Sequence, residues 1–177
     1  MMTFAVKRLN DGIRGTLVAH FLALPMKDRS LRFGRSLAPT VIAAYVDGID
    51  FGRDAIFGIY DSQLMLIGEA HMAIRDDLAE VALSVLPVHR SRGVGSALFN
   101  HALVHGRSHC IPRLFMHCQS GNAPIIRIAQ RFGMDIIASG GDAYAHLNLQ
   151  RAPIPADTEE SADFGPLCPD ASLQWKS

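Results

Sequence analysis

The sequence predicts an α/β protein, in the α+β sense of a mixed central sheet with helices packed on it. The element order is β-α-α-β-β-β-α-β-α-β, with room for one further strand. Three observations predict it. Apolar, β-branched runs between residues 55 and 86 are separated by tight polar turns, which makes an antiparallel meander. After residue 86, apolar residues at helical spacing separate the strand-like runs, so a helix carries a crossover between parallel strands. Finally, the run Val81-Ala82-Leu83-Ser84-Val85-Leu86 is stopped by Pro87 and passes into a basic glycine loop that opens a helix.

In order, Thr3–Leu9 alternates weakly and reads as a first strand, closed by Asn10-Asp11-Gly12. Ile13, Leu17 and Phe21 fall at helical spacing, predicting a helix from Asp11, as its cap, to about Leu24, where Pro25 ends it. Met26–Arg35 is polar and basic and reads as a connection. Pro39 suits the first turn of a second helix whose apolar face is Ile42, Tyr45, Val46 and Ile49. Ala55–Tyr60, Leu64–Ile74 and Leu78–Leu86 are the meander strands. The helix after the glycine loop, with Val94, Leu98 and Ala102 on one stripe, is expected to end at Gly106. Arg113–Gln119 is then a strand parallel to its predecessor, and Ser120-Gly121-Asn122 opens a helix that stops at Gly133. Asp135–Ala138 and Ala143–Leu149 form a closing antiparallel pair. Residues 1–150 make one domain. Residues 151–177 carry four of the nine prolines and a cluster of acids, and read as a tail, disordered or draped on the surface.

Seventeen Lys plus Arg balance seventeen Asp plus Glu in 177 residues, which excludes the basic footprint of a nucleic-acid-binding domain. No apolar run is long enough to span a bilayer, and the first residues lack the shape of a signal peptide. Cys110, Cys118 and Cys168 suggest neither a paired framework nor a metal site, so the expected compartment is the reducing cytoplasm. His101, His105 and His109 recur every four residues, but no carboxylate lies among them. They read as a solvated face, and no metal is expected.

The loop carries the chemistry. A helix start leaves backbone N–H groups without partners and adds partial positive charge, while glycines let an anion approach the backbone closely. Gly93 and Gly95 stand where such an anion nest needs them, with Arg90 and Arg92 adding charge, so a diphosphate is the natural ligand. Arg90-x-x-Gly93-x-Gly95, after a buried strand and opening a helix, resembles the coenzyme A pyrophosphate loop of the GNAT acyltransferases. Asn122, leading a helix that closes on Phe132-Gly133, resembles that superfamily's second signature. The two similarities span residues 3 to 149. A shorter one, Asp28-Arg29-Ser30-Leu31-Arg32-Phe33, is similar to GNAT domains that acetylate lysines in association with acyl-CoA synthetase-like proteins.

The resemblance implies the GNAT fold, acetyl-CoA as cofactor and transfer of an acetyl group to a primary amine, either a protein lysine or a small molecule. Loop residues Arg90, Ser91, Arg92, Gly93, Val94, Gly95 and Ser96 would hold the pyrophosphate. Leu83, Ser84 and Val85 would lie nearest the thioester, with Asn122 beside the pantetheine arm. The Ala79-Glu80 pair falls where protein-directed members carry a general-base glutamate, which makes Glu80 the catalytic candidate. The tyrosine that many members use to protonate the leaving thiolate is replaced by Ala129. That departure keeps open an alternative, a noncatalytic module that binds acyl-CoA and regulates a partner. A dinucleotide-binding domain is disfavoured, because the loop follows a meander rather than a leading βαβ unit. The oligomeric state stays open, a homodimer among the options.

Overall fold

The computed structural model describes residues 4–150; the predicted tail, with Cys168, lies outside them. Seven strands form one mixed sheet: β1 (Lys7–Leu9), β2 (Ala55–Tyr60), β3 (Leu66–Arg75), β4 (Leu78–Val85), β5 (Arg113–Gln119), β6 (Asp135–Ser139) and β7 (Asp142–Asn148), in spatial order β1-β2-β3-β4-β5-β7-β6. Every neighbouring pair is antiparallel except β4 and β5, as the helical crossover requires. The helices are α1 (Arg14–Ala23), α2 (Met26–Phe33), α3 (Pro39–Asp47), α4 (Val94–Ser108) and α5 (Ala123–Arg131).

The sheet is buried on both faces by separate cores, so its central strands are apolar almost throughout rather than alternating. Leu17, Phe21, Ile42 and Val46 of α1 and α3 pack with Ile56 and Leu66 on one side. Leu98, Phe99, Ala102 and Leu103 of α4 pack with Phe57, Met72, Val81, Leu114 and Met116 on the other.

Five sequence expectations need correction. Met26–Phe33 is a helix, so three helices rather than two separate β1 from β2. Pro25 precedes its first turn, Gly34 at φ 74° ends it in the left-handed region, and it is anchored by partly buried Phe33 and by a charged residue, Arg32, whose side chain is buried. The cap ahead of α1 is Asn10, whose side chain accepts from the Gly12 N–H, and a 3-10 turn over Asp11–Ile13 precedes the helix. Helix α4 continues through Gly106 to Ser108: a side chain at 106 would come within 2.7 Å of Leu149, so this glycine lets the helix pack closely on the residue that follows β7. Of the cysteines, Cys118 is free and buried, whereas Cys110 is disulfide-bonded, against the expectation of no pairing. The fourfold histidine spacing lies on α4 and its end. His101 and His105 pack edge-on against Phe57, which makes them part of a packed surface rather than a freely solvated face.

That packing has a consequence for stability. Burial holds His20, His71 and His101 below the usual imidazole value, and His105 at about 4. In the unfolded chain these groups take up protons near pH 6.5. Between that value and the lower folded values the unfolded state binds more protons, so stability falls with acidification. Urea midpoints measured from pH 7.5 to 4.5 are therefore expected to decline below about pH 6.5; a flat profile across that window would contradict the packing. Among the described residues, no helix is long and apolar enough to cross a membrane, and no group of three or more His, Cys, Asp or Glu is arranged to hold a metal ion.

Candidate active site

Strands β4 and β5 part company in mid-sheet. Their parallel pairing covers Leu78–Arg113, Ala79–Leu114 and Glu80–Phe115 and then stops, whereas β4 stays paired with β3 as far as Val85. The β5-facing edge of Val81–Val85 is thus left outside the ladder. A cleft of about 430 Å³ opens in the gap, lined by Val81–Val85, by Met116, His117 and Cys118 of β5, and by the start of α4.

The glycine loop closes one end of this cleft. Gly93 caps α4 at φ 91° and Ser91 sits at φ 57°, so two residues of the loop are in the left-handed region. Among the described residues no side chain caps α4, which leaves its first N–H groups available. A side chain at Gly95 would meet Ile128 of α5 at 3.0 Å, so the glycine keeps α4 close to α5 while leaving the cleft floor open.

The structure brings most of the predicted residues together. Leu83, Ser84, Val85, Arg90, Ser91, Gly93, Val94, Gly95, Ser96 and Asn122 all line the cleft. Arg92 does not: it is exposed beside the loop. Asn122 is buried at the start of α5 but makes no side-chain cap bond, so its polar side chain is not spent on the helix. Arg90 is less free than a phosphate-seeking arginine should be. Its guanidinium pairs with Asp28 of α2 at 2.9 Å, and its Nε donates to the Val85 carbonyl at 2.9 Å. Arg90 thereby braces the loop against α2 and β4. Ala129 is buried against the core, confirming that no tyrosine hydroxyl is offered from that position.

Glu80 stands at the last paired position before the strands part, and its carboxylate is exposed. It lines a second cleft, of about 280 Å³, with Arg32, Phe33, Tyr45, His71, Ala82, His117 and Cys118. Arg32, Ala82, His117 and Cys118 border both clefts, so the two meet where β4 and β5 diverge. Burial, with Asp142 adding to it, pushes the Cys118 thiol above its ordinary value, so it is a poor nucleophile at neutral pH.

Beneath the junction lies a buried polar network that sequence reasoning missed. Arg32 and Glu69 form an ion pair at 2.9 Å with side chains 5% and 1% exposed. Burial opposes the arginine's charge, but Glu69 and Tyr45 outweigh it and raise its pKa. Ser84 Oγ lies 2.8 Å from Glu69 Oε1 and 2.8 Å from His20 Nε2, and His20 Nδ1–H donates to the Leu66 carbonyl. On the other side of Arg32 the contacts continue through Tyr45 and His71 to Asp54. The basic connection read from Lys27, Arg29, Arg32 and Arg35 is therefore not a simple positive patch: its Arg32 is a core ion-pair member. One signal was present, since Arg32 lies between Leu31 and Phe33 on a stretch otherwise read as loop.

A mixed sheet opened between two parallel strands, with an uncapped glycine-led helix at the mouth, defines an acyl-CoA-dependent transferase. The profile of the acetyltransferase (GNAT) family matches residues 33–134, and the chain belongs to that family. Solved structures agree in fold. The GNAT domain of PAT from S. lividans superposes with a TM-score of 0.70 at 19% identity, covering 81% of this chain and 89% of that one. The yncA protein of Salmonella typhimurium, solved with its cofactor acetyl-CoA, gives 0.64 at 14% identity over 87% and 98% of the two chains. Spermidine N-acetyltransferase from Vibrio cholerae, in complex with CoA and spermine, gives 0.66 at 16% identity over 83% and 96%. No curated protein sequence matches the chain.

Proposed function

We propose that the protein transfers an acetyl group from acetyl-CoA to a primary amine by direct attack, with Glu80 assisting deprotonation. The observation that carries this reading is the end of the β4–β5 ladder at Glu80 beside a helix start that is open to an anion. The residues fit the cofactor. The free edge of Val81–Val85 suits a pantetheine arm, which can add to it as a strand adds to a sheet edge. The N–H groups from Gly93 to Ser96 suit a pyrophosphate, with Ser91 and Asn122 at the sides. Arg90 acts by holding the loop, and Arg92, exposed outside the cleft, would add only its charge to the site. A backbone N–H in Leu83–Val85 would stabilise the thioester oxygen as charge develops there, a contribution of about 3 kcal/mol in comparable acyl-transfer sites.

Acetyl-CoA supplies an activated acyl carbon and a leaving thiolate. The thiolate is near pKa 8.5 when unperturbed, so water can protonate it and the absent tyrosine is no obstacle. The amine is the harder partner. An ordinary ammonium near pKa 10.4 costs about 4.6 kcal/mol to neutralise at pH 7. Glu80, exposed on the wall of the second cleft, would take that proton directly or through water. The second cleft is then the acceptor site. The spermine of the Vibrio cholerae neighbour and the Asp28–Phe33 similarity support two acceptor classes, small polyamines and protein lysines.

Thiol release from acetyl-CoA with a panel of amines tests the reading. Glu80→Gln is expected to lower kcat/KM by about 10²-fold or more while coenzyme A affinity stays unchanged. Unaltered turnover would remove Glu80 from the chemistry. Coenzyme A binding without any amine-dependent release would favour the regulatory module instead.

A further inference from the structure

Tyr45 and His71 stand in the wall of the second cleft and are joined end to end with Asp54, buried behind them; none of the three is used by the mechanism above. Asp54, just before β2, is 3% exposed; His71 lies on β3 and Tyr45 on α3. His71 Nε2 is 3.1 Å from Asp54 Oδ2, and His71 Nδ1 is 2.6 Å from the Tyr45 hydroxyl.

The chemistry of the partners fixes the direction of each bond. Asp54 also accepts from Arg53 Nε at 3.0 Å, Arg75 Nη1 at 3.0 Å and the Ile74 N–H at 3.2 Å. Burial alone would push this carboxyl up, but those bonds and His71 hold it below its usual value, so it is ionised and can only accept. The imidazole proton must then sit on Nε2. Nδ1 is left with a lone pair, and the Tyr45 O–H donates into it. Arg32 Nη2 donates to the same tyrosine oxygen at 3.3 Å, so any negative charge that develops there faces a buried cation. The arrangement is that of a hydroxyl, an imidazole and an orienting carboxylate, the logic by which weak hydroxyl groups are activated in acyl-transfer enzymes.

We propose that Tyr45, backed by His71 and Asp54, is a second proton acceptor of the amine site, working beside Glu80. Both Tyr45 and Glu80 line the same cleft. Tyr45 is held in place by edge-on contacts with Phe33 and His71, at centroid distances of 5.2 and 6.0 Å, so its hydroxyl is a fixed point on the wall. An ammonium must lose two protons to become an amide nitrogen, and two acceptors of different character divide that work. Glu80, in contact with water, takes the first and yields the neutral amine. As the amine nitrogen bonds to the acyl carbon, its next proton passes to the Tyr45 oxygen while the tyrosine proton moves to His71 Nδ1. Asp54 balances the resulting imidazolium. The C–S bond breaks with its electron pair on sulfur, and water protonates the thiolate. His71 returns its proton to solvent as the product leaves.

For this His71 must be neutral and basic beforehand. The charged or titratable groups around it are Arg32 from α2, Glu69 on its own strand, Asp54 before β2, Tyr45 from α3, and Glu80 and His117 across the cleft. Burial and Arg32 hold its pKa below the ordinary imidazole value, with Asp54 and Glu69 opposing, so at neutral pH it carries no charge and can accept. This inference rests on acetyl transfer being the reaction, and the experiment separates the two.

Wild type, Tyr45→Phe and Asp54→Asn are compared in amine-dependent thiol release across pH, in coenzyme A calorimetry and in ¹⁵N-imidazole NMR. Tyr45→Phe keeps the aromatic packing and removes one hydroxyl. It should lower kcat about 10²-fold, leave coenzyme A affinity within twofold, and abolish an acid limb in the rate profile. Asp54→Asn should lower kcat similarly. In the unliganded wild type, NMR should show His71 as the Nε2–H tautomer. An active wild type with unimpaired Tyr45→Phe turnover would overturn the proposal, as would an Nδ1–H tautomer at His71. A wild type that releases no thiol with any amine would overturn the acetyl-transfer reading and this proposal together.

Discussion

Replacing Arg32 by alanine is expected to cost about 3–5 kcal/mol of folding stability, seen as a lower urea midpoint. Glu69 is 0% exposed, and its Oε2 already has no hydrogen-bond partner. Removing Arg32 leaves a carboxylate whose remaining support is Ser84, far from water. The guanidinium also packs over Phe33 and Phe21, at 5.1 and 5.3 Å from the ring centroids, so the substitution opens a void among aromatic rings as well. The double variant Arg32→Met, Glu69→Leu should regain much of the loss, because an apolar pair of similar volume carries no stranded charge. A single variant as stable as wild type would show that the pair is not buried as described. Stability regained by the double variant, with turnover still impaired, would separate the network's structural cost from its service to the acceptor cleft.

The second large effect falls on the glycine loop. Gly93→Val is expected to weaken coenzyme A binding by about 100-fold or more, with the fold retained. At φ 91° a β-branched residue is strained by about 1–3 kcal/mol, which the loop can relieve by leaving the left-handed region. That movement turns the first N–H groups of α4 away from the cleft, and each lost hydrogen bond to a charged group is worth about 1.5–3 kcal/mol. Space is not the cause, since the nearest atom to a side chain there is Phe4 at 3.8 Å. Calorimetry with coenzyme A, alongside a melting curve, checks both halves. Affinity within a few-fold of wild type would mean that the loop does not bind the ligand through its backbone.

How much of this could be read from the chain depends on the range of the interaction. The strand-loop-helix at Val81–Gly106 was legible, apart from the last two residues of its helix, because its signals are local: a β-branched run, a proline stop, two glycines and a helical stripe. The Pro39 start of α3 and the Gly133 stop after α5 were legible for the same reason. Helix α2 was not, because one of the side chains that anchors it is an arginine, and a charge reads as surface until its partner is known. That partner, Glu69, is 37 residues away, and the His20–Ser84 contact spans 64. Arg90 looked like a phosphate ligand from its neighbours, but Asp28, 62 residues earlier, restrains it. The parting of β4 from β5 is a property of the assembled sheet, and nothing in the residues of either strand announces where their pairing stops. Glu80 could be singled out by resemblance; that it stands at that point required the structure.

A crystal structure with acetyl-CoA bears most closely on the gap between β4 and β5. The pyrophosphate is expected on the N–H groups of Gly93–Ser96, the pantetheine arm along the free edge of Val81–Val85, and the acyl carbon at the junction of the two clefts, on the Glu80 side. A cofactor bound elsewhere, or a gap closed by side chains at saturating acetyl-CoA, would contradict that placement.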